Sequence, residues 1–485
     1  MATRYWVGGT GTWNSTSTAN WSATSGGAAG ASAPVVGDDV IFDANSGTGS
    51  ATTDATAVGR NITINTSTLS LVLGADFATA NTVTLTLGAL NLNSNTLTAI
   101  IFSSDNTNVR SISFGTTGKI VLTGSNASIW SCATATNMTT SGSREVRSTY
   151  TGGTGTRLIR NGQTGGALSS AVSMYIEGGT DIVDDRSFRY LDCDFTVFAG
   201  SVLNRGRVVF RNLTLSSSMT FNNSTGAGIT FGYESGVNAI KTNSVTLTFP
   251  ISFNGVGGAW SLFDDLSLDA SSTFTLTNGT FDANNKNVTL GSFALGSGTK
   301  TLTLGSGTWT VLNNWDANTN VSGLTISAST ATISMTSASS KTFAGGAKTW
   351  PTLNQGGSGA LTVQQSNTFA NITNTVQPAT ITLTSGTTQT VTTFTVSGTS
   401  GNLITLNSSS AENRATLTDS GGINSVSYVD IKDIAATGYG EWQAYTSNGN
   451  VDSGNNLGWV FAEPPPLTAS EYQISLKSFT ERRSF

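Results

Sequence analysis

No histidine occurs among the 485 residues, which removes Ser-His-Asp and Cys-His catalysis, His-ligated metals and the ordinary near-neutral pH switch together. Any hydrolysis would have to run on carboxylates, and two acids at a fixed separation are what glycoside cleavage uses. The densest acidic run is Asp181-Ile-Val-Asp184-Asp185-Arg186, followed by Arg189, Asp192 and Asp194. Carboxylates on adjacent passes of the chain could flank a sugar there, with Arg186 or Arg189 holding it. The candidate binding residues are therefore Asp181, Asp184, Asp185, Arg186 and Arg189. The competing reading is a turn and strand edge carrying solvated or intersubunit ion pairs. Nothing in the spacing fixes the separation a catalytic pair requires. No catalytic residue is assigned, and the chain is expected not to be an enzyme.

Other patterns resolve into turns. Asp-Ala-Asn occurs at Asp43, Asp282 and Asp316, and Asp43, Asn45 and Asp54 sit at places 1, 3 and 12 of a calcium loop. The fifth place is Gly47 and no flanking helix is evident, so Asx-turns are the expectation and neither metal nor cofactor is assigned. Gly9-Thr-Gly11 and Gly152-Gly-Thr-Gly155 lack the Lys-Ser/Thr and helix of a phosphate loop. Arg144, Arg147, Arg157 and Arg160 gather around Tyr150 and read as a solvated face, with contact to an acidic glycan or a neighbouring subunit as the alternative.

The elements that must position these residues are strands. Charged residues make up 11% of the chain, against roughly 25% in ordinary soluble domains. A net charge of −5 with no Lys/Arg stripe argues against nucleic acid. No apolar run approaches the ~18–20 residues of a spanning helix, so no membrane insertion is expected. The start, Met1-Ala-Thr-Arg-Tyr-Trp6, lacks the apolar core of a secretory signal, and synthesis in a cytoplasm is expected. Cys132 and Cys193 are then expected as two packed thiols.

Val83-Thr-Leu-Thr-Leu87, Val245-Thr-Leu-Thr-Phe249, Lys300-Thr-Leu-Thr-Leu304 and Ala379-Thr-Ile-Thr-Leu-Thr384 alternate apolar residues with threonine, the period of a half-buried strand. Gly, Asn, Ser and Asp clusters separate them. Residues 88–98 align without gaps on 279–289, and Leu295-Gly-Ser-Gly-Thr299 recurs at Leu304–Thr308. Self-similarity of this kind suggests stacked units that bury their apolar faces only against each other. The expected fold is all-β: a β-solenoid rod, parallel β-helix-like, with a string of β-sandwich domains as the alternative. Trp6, Trp13 and Trp21 mark residues 1–55 as an N-terminal cap. Residues 56–410 form the repetitive body and 411–462 an aromatic C-terminal cap. Residues 463–485 are a Pro-linked tail, whose Tyr472, Ile474, Leu476 and Phe479 are candidates for docking as an added strand.

Roughly half of the chain resembles repetitive proteins of tailed bacteriophages and prophages. The resemblance lies in Lys341-Thr-Phe-Ala-Gly-Gly-Ala-Lys-Thr-Trp350, Ser385-Gly-Thr-Thr-Gln-Thr-Val391, Val426-Ser-Tyr-Val-Asp-Ile-Lys-Asp433 and Gly454-Asn-Asn-Leu-Gly-Trp-Val-Phe461. Arg4-Tyr-Trp-Val-Gly-Gly-Thr-Gly-Thr-Trp13 looks like the module that often precedes them. The resemblance implies a β-helical, oligomeric virion protein and carries over no catalytic residue. The expected function is a tail fibre, spike or other appendage, a homotrimer on the virion presenting a multivalent host-binding surface. Its expected partners are other virion proteins and a host cell-surface glycan. A capsid decoration or head-fibre protein, and a polysaccharide depolymerase spike, are the alternatives.

Overall fold

The alternating Thr-rich segments form strands with the apolar member turned inward. In Ala379–Leu383 the residues Ala379, Ile381 and Leu383 are buried and the threonines between them half-buried. Thr82–Asn91 buries Val83, Leu85 and Leu90 in the same way. The computed structural model describes residues 1–125, 127–223, 226–232, 236–327 and 329–463, and of residues 186–188, 204 and 223 the backbone alone. The tail candidates Tyr472, Ile474, Leu476 and Phe479 lie outside the described residues. Two compact units result, Met1–Thr332 and Ile333–Phe485, and each is a parallel β-solenoid.

In the first unit the chain returns to the same face once per coil. Val40 pairs with Ile62, Ile62 with Val83 and Val83 with Phe102. A second face stacks Ala51, Leu71, Leu90 and Ile112. A third stacks Leu97, Ile120, Val146 and Met174. In the second unit one ladder runs through Lys341–Ala344, Leu361–Gln364, Ala379–Leu383, Ile404–Ser408 and Val429–Lys432. Another runs through Thr349–Gln355, Thr368–Asn374, Thr388–Thr395, Ala415–Asp419 and Ile434–Gly438. Parallel pairing of successive coils excludes the β-sandwich alternative, whose sheets are antiparallel.

In-register parallel stacking sets like residues on like. Phe293 lies flat on Trp315 at 3.9 Å and Phe102 on Trp130 at 4.9 Å. Outside, Asn81 Nδ2 donates to Asn61 Oδ1 at 2.9 Å, and Asn278 Nδ2 to Asn254 Oδ1 at 2.8 Å. The aligned segments 88–98 and 279–289 share their local structure. Their strands, Thr82–Asn91 and Thr273–Asp282, share one burial pattern. Each ends in a left-handed pair, Asn93-Ser94 and Asn284-Asn285. Gly88 and Gly279 both have positive φ, and a Cβ on Gly88 would lie 1.9 Å from the Thr66 carbonyl. The shared sequence thus encodes one coil corner.

All ten tryptophans are buried. Trp6, Trp13 and Trp21 cluster with Phe42 in the first unit, and Trp442 and Trp459 with Phe394 in the second. At the N-terminal end, Thr3–Trp6 pairs in parallel with Asp39–Phe42 on one side. On the other it is covered by the antiparallel strand Trp21–Ser22, so the first coil does not present an open edge there.

Candidate functional site

The acidic run starts at Asp181, directly before the strand Ile182–Asp194, which carries the rest and crosses two faces of the first unit. Asp181, Asp184, Asp185 and Asp192 are all buried. A carboxylate taken out of water demands an opposite charge and hydrogen-bond donors. Each finds them one coil away. Arg157 holds Asp181 through Nη2–Oδ1 at 2.6 Å and Nε–Oδ2 at 2.8 Å, with both side chains fully buried. Its guanidinium also donates to Ser148 Oγ and the Gly178 carbonyl and lies over the rings of Tyr150 and Phe198. Arg205 holds Asp184 at 2.8 Å. Arg207 binds Asp185, which also accepts the Tyr190 hydroxyl at 2.9 Å. Arg211, Ser173 and Asn212 converge on Asp192.

These acids are paired with arginines inside the first unit. Asp184 and Asp185 lie on one strand with Asp181 directly before it, but their oxygens are engaged by arginines one coil away. Asp194 closes an Asx-turn on Thr196. The partners are Arg157, Arg205, Arg207 and Arg211, none of which the sequence reading paired with an acid. The Arg186 side chain lies outside the described residues. Arg189 points to the outer face, part-exposed, and has no side-chain partner among the described residues. It lines a groove of about 350 Å³.

The electrostatics follow burial. Desolvation alone would lower Arg207, but the Asp185 carboxylate holds it above its ordinary value and hence charged. Burial, then Asp185, pushes the Tyr190 phenol well above its usual range. Burial pushes the Cys193 thiol up to about 12 and Cys132 higher still, so both are inert, unreactive thiols at neutral pH. Both cysteines are free and buried, as expected. The basic group around Tyr150 is largely paired: Arg147 bridges Glu145 and Glu177, Arg144 donates to the Leu168 carbonyl, and Arg157 is internal.

A second class of buried cation escaped the strand pattern, which treats lysine as an outward residue. Arg110, Lys300 and Lys341 each open a strand, point inward and are almost wholly buried. Their donors tie the preceding turn to the adjacent coil. Lys300 Nζ reaches the carbonyls of Gly296, Gly298 and Ser322, and Lys341 Nζ those of Ser337 and Gly359. Burial lowers Lys341 from the ordinary 10.5 to about 8. The unfolded chain therefore holds the proton more tightly, and stability is expected to rise with pH between 8 and 10.5. Comparing urea midpoints of wild type and Lys341→Met at pH 7.5 and 10 checks this. The wild type should gain on the variant at the higher pH, and a constant difference would remove the effect.

Asp-Ala-Asn behaves as expected. Asp43, Asp282 and Asp316 each accept the backbone N–H two residues on, at 2.9, 2.7 and 3.0 Å. Among the described residues no group of three or more Cys, Asp or Glu side chains is placed to hold a metal, and no helix is long and apolar enough to cross a membrane. Set against protein-family models, curated proteins and solved structures, the chain matches none.

Proposed function

We propose that the chain is a non-catalytic structural protein of a bacteriophage virion, a fibre, spike or similar surface appendage whose solenoid coils hold and present a host-binding surface. The observation that carries the non-catalytic part is the pairing of Asp181, Asp184, Asp185 and Asp192 with arginines one coil away. The richest set of acids in the chain serves as internal cross-links between coils. The virion assignment draws on the sequence resemblance and on the economy of the fold. Threonine, asparagine and glycine corners repeat coil after coil, so surface is extended at little cost in new design. Several copies of a weak site on a trimer would bind by avidity, because the second contact forms at high effective concentration.

The test is made on particles and on polysaccharide. Antibody against the chain should label purified particles at an appendage, and light scattering of the free protein should give a trimer mass. Host polysaccharide incubated with the protein should keep its chain length. Absence from the particle would overturn the virion reading. Glycan release that disappears in Asp184→Asn with Asp185→Asn would overturn the non-catalytic one.

A further inference from the structure

Among the described residues Arg189 has no carboxylate partner, a state it shares with Arg160, but Arg189 alone of the two borders a groove. Nine of the fifteen arginines lie between 144 and 211, in a chain otherwise poor in charge. Arg157, Arg205, Arg207 and Arg211 are bound to carboxylates and Arg147 to two. The Arg189 guanidinium has no such partner among the described residues, although its stem is held in place. A Cβ on Gly166 would lie 2.7 Å from Arg189 Cδ, and one on Gly162 3.5 Å from it, so the stem runs across bare backbone. Holding a long side chain this way removes rotamer freedom before any ligand arrives.

The groove beyond it offers polar and apolar surface in similar measure. Its walls include Gln163, Val208 and Thr230, with Gly162, Gly206 and Gly228 supplying backbone only. Arg207 also borders it, but that side chain is fully buried in the interior. Among the described residues, no carboxylate lines the groove. Its volume of about 350 Å³ falls at the small end of ligand sites. Arg189, Val208, Thr230 and Ser252 are register neighbours on four successive strands, so a row of one cation, one valine and two hydroxyls bonded to each other follows the stack. A planar guanidinium takes a carboxylate through two parallel hydrogen bonds. An amide, hydroxyls and exposed backbone suit the many hydroxyls of a sugar chain.

We infer that this groove binds an acidic saccharide, with Arg189 receiving the carboxylate of a uronic acid unit. This rests on the surface-presenting reading for its use to the particle. The groove itself is tested separately, by calorimetric titration of the full chain with an oligoglucuronate and with its carboxyl-reduced, neutral counterpart. The wild type should bind the acidic oligomer at least about tenfold more tightly than the neutral one. Arg189→Gln should weaken it by about tenfold or more, and Arg189→Lys by less, since lysine keeps the charge and loses the fork. Val208→Glu should quench the site as well, because a carboxylate directly across from Arg189 occupies the guanidinium.

Equal binding of acidic and neutral oligomers, no binding of either, or variants that bind like wild type would each overturn the inference. So would inorganic phosphate competing as well as the oligomer at equal concentration, which would reduce the groove to a general anion site. The wild-type comparison decides even if a variant misfolds. A chain that binds oligoglucuronate yet is absent from the particle sinks the virion reading alone; a virion protein indifferent to the carboxylate sinks the groove alone.

Discussion

Replacing Asp181 with alanine is expected to lower the free energy of unfolding by about 3–5 kcal/mol. Arg157 would remain inside the solenoid with no exposed surface, retaining only Ser148 Oγ and the Gly178 carbonyl as acceptors among the described residues. An uncompensated buried charge is among the costliest defects a fold can carry. The intact pair contributes much less than that figure, since removing two charges from water offsets most of their attraction. Asp181→Leu combined with Arg157→Met is therefore expected to recover most of the loss. An acid kept for catalysis behaves in the opposite sense, because active-site groups are often held at the expense of stability. Long stacks of coils need not unfold as one unit. Urea unfolding should therefore be read with amide hydrogen exchange on the strand Ile182–Asp194. Wild-type protection in Asp181→Ala would remove the structural role assigned to this carboxylate.

The fold was legible where sequence period and coil geometry coincide. Alternation of threonine with Val, Leu or Ile tells which residues face inward, and Ala379–Leu383 follows it residue by residue. The match of 88–98 with 279–289 was visible because both mark the same corner, with Asn or Asp capping a left-handed pair. Between them the repeat fades for a geometric reason. Contacts between successive coils span 20 to 22 residues at Asn61–Asn81 and Asp265–Asn287. They span 29 to 31 at Asp105–Thr134, Thr107–Asn137 and Trp130–Asn161. Coils of unequal length break any fixed period while keeping the same stacking.

The site was harder to read, because its pairs are one coil apart rather than a few residues apart. Asp184 meets Arg205 at a separation of 21, Asp185 meets Arg207 at 22 and Asp192 meets Arg211 at 19. Local reading instead offered Arg186 and Arg189, the nearest cations in sequence. The signal was present: opposite charges recurring at the coil length also link Asp39 to Arg60 at 21. It becomes interpretable only once the solenoid is assumed. Lys300 and Lys341 illustrate the converse, in that each occupies an inward position of the alternation yet is polar. A buried ammonium is tolerated there because the turn before it and the adjacent coil together aim two or three carbonyls at one point.

In the N-terminal cluster, Trp6→Phe is expected to destabilise more than Trp13→Phe, although both indoles have no exposed surface. Each change removes similar volume from a packed core. The indole N–H separates them. Trp6 Nε1 donates to the Gly9 carbonyl at 2.8 Å, whereas Trp13 Nε1 is buried with no partner among the described residues. Phenylalanine at 6 loses that hydrogen bond, at about 0.5–1.5 kcal/mol beyond the packing loss, since the half-exposed Gly9 carbonyl can take a water instead. At 13 it removes an orphaned donor, which offsets part of the loss. Trp13→Ala is the severe case, at about 3–5 kcal/mol, since the ring packs on Trp21, Phe42 and Phe77 at 5.4, 5.9 and 5.2 Å. Its consequence is architectural as well as energetic. Trp21 sits in the antiparallel strand that covers Thr3–Trp6, so loosening it uncovers a strand edge able to pair with another chain. Circular dichroism on urea titration should give the order Trp13→Ala, Trp6→Phe, Trp13→Phe. Light scattering should show assembly beyond the wild-type mass in Trp13→Ala alone. If Trp13→Phe proves the costlier of the two phenylalanine variants, the assignment of the cluster's stability to the Trp6–Gly9 hydrogen bond fails.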